Sequence, residues 1–161
     1  MRLLSPRIAL AAAVALAVAF YIVYAISTTP GTVSLTSPPS SFTVNGRTFG
    51  ITYIAASQSS RETGLMNTKI TNSTTMLFLF PSFGKYSFWM SNVNSSLDII
   101  WLNVSGRIGD VVYVVRDAPG CSSSVSCPVY QPTSPANWVI EAKGGFSAHN
   151  GVVVGTTIHF K

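Results

Sequence analysis

LDIIWLNVSGRIGDVVYVV, residues 97–115, is the stretch whose reading decides the fold. Two β-branched and aromatic runs, residues 97–102 and 107–115, flank the tetrapeptide Asn103-Val104-Ser105-Gly106, whose Asn, Ser and Gly suit a chain reversal. The pattern predicts a hairpin with its turn at those four residues. Asp98 interrupts the first run, on the same strand face as Ile100 and Leu102. Both faces of that strand are apolar, so it belongs at the centre of a sheet, and an ionised Asp98 there needs a partner. Arg61 or a neighbouring donor is the expected partner, which makes Asp98 structural.

On either side, shorter runs repeat the signal. Phe42-Thr43-Val44 and Arg47-Thr48-Phe49 surround Asn45-Gly46, the dipeptide that best tolerates the positive φ angles of a tight hairpin turn. Residues 76–80, 86–90, 137–142, 151–154 and 156–160 are likewise β-rich and bounded by Gly, Pro, Asn or Ser. Residues 57–65 have weak helical character, ended by Gly64. Many short strands and little helix predict an all-β domain over residues 42–161, a compact antiparallel β-sandwich or barrel-like ectodomain.

Ahead of it stand two other segments. An apolar run of 19 residues, from Ile8 to Ile26, follows Arg2 and Arg7. At about 1.5 Å per residue it reaches about 28 Å, the hydrocarbon thickness of a bilayer, so residues 1–26 are expected to be a retained single-pass anchor with a cytoplasmic N-terminus. Small residues before a cut after Ala25 keep a cleaved signal peptide open as the alternative. Either way the remainder is extracytoplasmic. Residues 27–41, with Pro30, Pro38 and Pro39 among Ser and Thr, read as a linker. Val33 and Leu35 within it would suit a strand donated to a neighbouring fibre subunit, a weaker reading.

Charged residues are only 9% of the chain, and 37 Ser and Thr residues supply polarity instead. The basic residues are scattered, which is not a nucleic-acid footprint. Asn72, Asn94 and Asn103 open three N-glycosylation sequons whose glycans would compensate for the missing charge, and all three are expected on surface loops. Cys121 and Cys127, the only cysteines, are expected to form a local disulfide in an exported domain. Met66, Met76 and Met90 lie in apolar runs and read as core rather than copper ligands, and neither His149 nor His159 has a ligand-spaced neighbour. No metal, cofactor or catalytic residue is expected.

Residues 61–66 (RETGLM), 76–81 (MLFLFP), 88–92 (FWMSN), 97–100 (LDII), 106–108 (GRI), Cys127-Pro128 and 139–141 (VIE) together resemble the domain of unknown function 192 family, in order and spacing. Thr75 replaces the family's usual Gly, and Ser91 and Val93 replace its Lys and Thr; the missing lysine counts against an anionic ligand there. The resemblance implies a compact all-β domain without established activity. Arg61, Trp89, Asn92, Asp98 and Glu141, which fall in those motifs, are the candidate polar cluster or ligand pocket. Two classes of function follow. One is a noncatalytic accessory or scaffolding subunit of a membrane or cell-surface assembly, favoured by the small-residue stripe Ala11, Ala15 and Ala19 in the anchor. The other is an extracellular module binding a small ligand, sugar or metal.

Overall fold

The structure, a computed structural model, describes residues 37–122 and 126–161. The expected anchor, most of the linker, Val33 and Leu35 lie outside the described residues. Among the described residues no helix is long and apolar enough to cross a membrane.

Among the described residues, ten strands and two short helices follow in the order β1 (Ser41–Val44), β2 (Arg47–Gly50), β3 (Tyr53–Ala55), α1 (Gln58–Thr63), β4 (Thr75–Gly84), β5 (Phe88–Trp89), β6 (Leu97–Ser105), β7 (Ile108–Ala118), β8 (Val129–Tyr130), β9 (Ala136–Lys143), α2 (Phe146–His149) and β10 (Thr157–Phe160). Eight strands form one sheet in the order β2-β1-β10-β7-β6-β9-β4-β3, while β5 and β8 pair separately. The fold is thus mostly β, with the large sheet curled into a half-barrel rather than split into two stacked sheets. It is not wholly antiparallel, because β3 runs parallel to β4.

The Asn45-Gly46 hairpin forms as expected, both residues at positive φ. The second hairpin closes two residues later than its sequence suggests: Ser105 pairs with Ile108, and the reversal falls on Gly106 and Arg107. Asn103 therefore sits in β6 opposite Asp110, exposed but not at the tip. Gly106, at φ 62°, supplies the left-handed residue that the turn needs. Residues 151–154 form turns instead of a strand, since Gly151 and Gly155 both take positive φ around them. In β4 the pairing with β9 jumps between Leu79 and Gly84, and Pro81, which has no N–H to give a ladder, lies in that irregular stretch.

Each face of the sheet carries a core. Met76, Phe78, Ile99, Trp101 and Val139 pack on one side with Leu65, Phe88 and Met90; Leu77, Ile100, Leu102, Ile140, Phe42 and Ile158 pack on the other. β6, central and flanked by β7 and β9, is buried on both faces as its sequence requires. Each large side chain so buried contributes about 1.5–3 kcal/mol. Trp101, fully enclosed, satisfies its indole N–H on the carbonyl of Tyr86 at 2.9 Å.

Candidate functional site

The sheet face bearing Met76, Phe78 and Ile99 is not completely filled. A cleft of about 290 Å³ opens between α1 and the strands. Ser57 starts α1 with a reciprocal capping box to Ser60, and Gly64 ends it at φ 50°, which turns Leu65 into the core and leaves Arg61 and Glu62 on the cleft. Phe78 and Phe80 of β4 form one wall. Tyr86, Phe88 and Trp89, around β5, form another, with Phe80 and Tyr86 stacked at 3.6 Å and Phe78 edge-on to Phe88 at 4.9 Å. Trp89 stays 46% exposed at the rim.

Glu141 of β9 lines the same cleft and is only 4% exposed. Its cross-strand neighbours are Met76 and Ile99, so neither offers a donor. Among the described residues no hydrogen bond or ion pair reaches its carboxyl. Burial alone pushes that carboxyl from an ordinary 4.5 up to about 8, leaving it mainly protonated at neutral pH.

Arg61 points to other partners. Its Nη1 donates to the carbonyls of Ala56 (2.6 Å) and Leu79 (3.0 Å), and the guanidinium lies 5.2 Å from the centre of the Phe80 ring. Asp98 does not meet Arg61, which corrects the expected ion pair. Fully buried on the opposite sheet face, its carboxylate accepts from the backbone N–H groups of Asp117 (2.8 Å), Gly145 (3.2 Å) and Ser147 (2.6 Å). Three aligned amides satisfy a carboxylate without a second buried charge. The donors that meet Asp98 are thus neighbouring backbone amides and not Arg61.

The structure thus brings Arg61, Trp89 and Glu141 together and separates Asn92 and Asp98 from them. Asn92 is an exposed turn residue at φ 56°, its N–H donating to Cys121 and its carbonyl accepting from Asn67. Sequence reasoning did not single out Glu62, Phe80, Tyr86 or Phe88. The available signal was Glu141 itself, an acid inside the apolar run of β9 just as Asp98 is inside β6.

Cys121 and Cys127 are disulfide-bonded, with Cα atoms 5.7 Å apart. The bridge lies close in sequence to β8, whose Val129 and Tyr130 pair with Trp89 and Phe88 of the cleft wall. Asn72, Asn94 and Asn103 are all exposed, and Asn72 Oδ1 accepts from Lys143 Nζ at 2.9 Å. Met76 and Met90 are buried in the core, while Met66 is half-buried on the cleft. Among the described residues no three His, Cys, Asp or Glu side chains gather as a metal-binding set.

Comparison with known proteins agrees with this architecture. The profile of DUF192, described as an uncharacterised family, matches residues 41–160. No curated protein matches the sequence. A crystal structure from Sinorhizobium meliloti 1021, provisionally described as a transcription regulator, is similar at 24% identity and a TM-score of 0.63, covering 74% of this chain and 90% of that one. A protein of unknown function from Novosphingobium aromaticivorans DSM 12444 is similar at 23% identity and a TM-score of 0.60, covering 75% of this chain and 83% of its own. At such identities the likeness is one of fold.

Proposed function

The chain belongs to the DUF192 family, and from that premise we propose that it is a noncatalytic, membrane-tethered extracytoplasmic module that binds a small ligand in the cleft floored by Glu141. One observation carries the reading. The Glu141 carboxyl has no protein partner among the described residues, and it faces an aromatic-walled cavity of ligand size. A ligand group reaching Glu141 would supply the missing hydrogen bond. The tether is the apolar run of residues 8–26, with residues 27–41 as the spacer.

An accessory or scaffolding subunit is the second reading. Val153 and Val154 favour it, standing exposed side by side at 51% and 62% between α2 and β10. A partner subunit would cover such a pair.

The ligand reading is tested by titrating the full chain, in detergent micelles, with small aromatic compounds of neutral, cationic and anionic character while the indole resonance of Trp89 is followed. Shifts of Trp89 that saturate with at least one compound, and vanish in Glu141→Leu, are expected. A Trp89 signal untouched by every compound would remove the proposal and put the scaffolding reading first.

A further inference from the structure

We infer that the cleft takes an organic ammonium group, seated with its N–H donors on Glu141 between the aromatic walls. This rests on the ligand-binding reading above and names the ligand class. Three polarities of ligand compete for the site. An anion would meet the Glu62 carboxylate at the rim and, wherever Glu141 ionises, a second negative charge, with Arg61 as the cation on the described lining. That guanidinium is already engaged by Ala56, Leu79 and the Phe80 ring. A neutral hydroxyl or carbonyl could take one hydrogen bond from Glu141 but would gain nothing from the ring faces beyond contact area.

An ammonium uses both features. Aromatic faces are the negative ends of ring quadrupoles and attract cations, as the position of Arg61 over Phe80 already illustrates. The N–H donors meet a carboxyl that lacks any donor, and charge pairing is strengthened by the apolar surroundings of Met76 and Ile99. Glu62, held by Gln58 Nε2 at 2.9 Å, adds negative potential at the rim. A primary ammonium with an apolar body fits within about 290 Å³.

Binding has a proton balance. The ligand arrives as R–NH3⁺ and keeps its protons, while Glu141 must lose its own to solvent to become the counter-ion. The titratable groups lining the cleft are Glu62 on α1, Tyr86 before β5 and Glu141 itself, with Arg61 permanently charged; β4 and β6 face Glu141 with Met76 and Ile99. Because burial raises the Glu141 carboxyl to about 8 and the pairing needs it ionised, the apparent affinity for an ammonium should rise roughly tenfold per pH unit up to about 8 and then level.

The experiment is isothermal calorimetry on the full chain in micelles, at pH 6, 7, 8 and 9, with benzylammonium and benzyl alcohol as isosteric probes. Benzylammonium should bind at least tenfold tighter than benzyl alcohol at pH 8, with the pH profile above and net proton release at pH 7. Glu141→Gln should erase both the preference and the pH dependence. N-acetyl-lysine methylamide presents the same head group as a peptide side chain, and whichever of the two amines binds tighter indicates whether a free amine or a lysine side chain is the natural source. If benzyl alcohol binds as well as the amine, or amine affinity is flat or falls with pH, the ammonium assignment is wrong while the cleft remains a ligand site. If no probe binds and Trp89 is silent to every compound, both are wrong. The wild-type pH profile decides the matter even if Glu141→Gln fails to fold.

Discussion

Ser147 donates its backbone N–H to Oδ2 of Asp98 at 2.6 Å across 49 residues of chain. Gly145, the residue that precedes α2, makes no side-chain cap of its own, and its N–H also goes to Asp98. A strand carboxylate thus performs the task a capping residue usually performs from within the helix, anchoring the turn after β9 to the middle of the sheet.

Asp98→Ala is therefore expected to be severely destabilising. It strands three backbone donors, of which Ser147 lies in a fully buried residue. At about 1–3 kcal/mol for each buried donor left unsatisfied, the loss should be about 3–5 kcal/mol, a fall in Tm of more than about 10 °C for a domain of this size. Because Arg61 and Asp98 share no partner, adding Arg61→Ala should be additive within about 0.5 kcal/mol. Chemical denaturation of the four proteins measures this, and a strong coupling between the two sites would contradict the observed bonding.

Glu141 makes stability depend on pH in a definite direction. Its carboxyl is raised in the folded state from 4.5 to about 8, so the folded protein holds a proton there that the unfolded chain has released. Stability should consequently fall as pH rises from about 4.5 to about 8 and level off above, by an amount on the order of 4 kcal/mol. Glu141→Gln, which keeps the shape without the charge, should remove this slope and be the more stable protein at pH 8. Urea denaturation at pH 5, 6.5 and 8 would show it; an unchanged slope in the variant assigns the titration elsewhere.

The Cys121–Cys127 bridge closes a loop of about seven residues and should contribute about 2 kcal/mol by restricting the unfolded chain. Replacing both cysteines by serine is expected to lower stability by that amount. It should also raise hydrogen exchange in β5 and β8, which among the described residues form a two-stranded sheet of their own. Exchange mass spectrometry resolves the two segments.

If residues 8–26 are the proposed tether, carbonate-washed membranes from the native host should retain the protein with residues 1–25 intact, whereas an N-terminus at Ile26 would indicate cleavage. Glycopeptide mass spectrometry of the same material should find at least one of Asn72, Asn94 and Asn103 modified, since all three side chains are exposed.

Most strands were legible because β-branched and aromatic runs between Gly, Pro and Asn leave little alternative, and residues 42–49 and 97–115 paired with their hairpin partners. What escaped were elements of two to four residues. β3 and β8 are too short to show a period, and α2 exists because a carboxylate in another strand reaches its amides, a relation no local pattern encodes. The same holds for the site. Arg61, Trp89 and Glu141 stood in recognisable motifs, but the wall of Phe80, Tyr86 and Phe88 is assembled by packing around a bulged strand. Asp98 and Glu141 looked alike as acids in apolar runs. Their fates diverge because adjacent residues of paired strands project to opposite faces, one towards amides and the other towards a cavity.

That divergence bears on how the chain finds its native pairing. In the ladder between β6 and β9, Asp98 lies opposite Ala142 and Ile99 opposite Glu141. A slip of one residue would turn every side chain of β6 to the wrong face, a well-policed error in any amphipathic strand. β6, apolar on both faces over residues 99–102, lacks much of that ordinary safeguard, since a slip of two keeps apolar side chains on both faces there. Asp98 tells the registers apart: displaced by two one way, Ile100 would confront the amides of Asp117, Gly145 and Ser147, and displaced by two the other way, Asp98 would sink among the hydrocarbons around Ile100. The costly polar group in the middle of the sheet is then an alignment mark, trading some stability for a single way to zip.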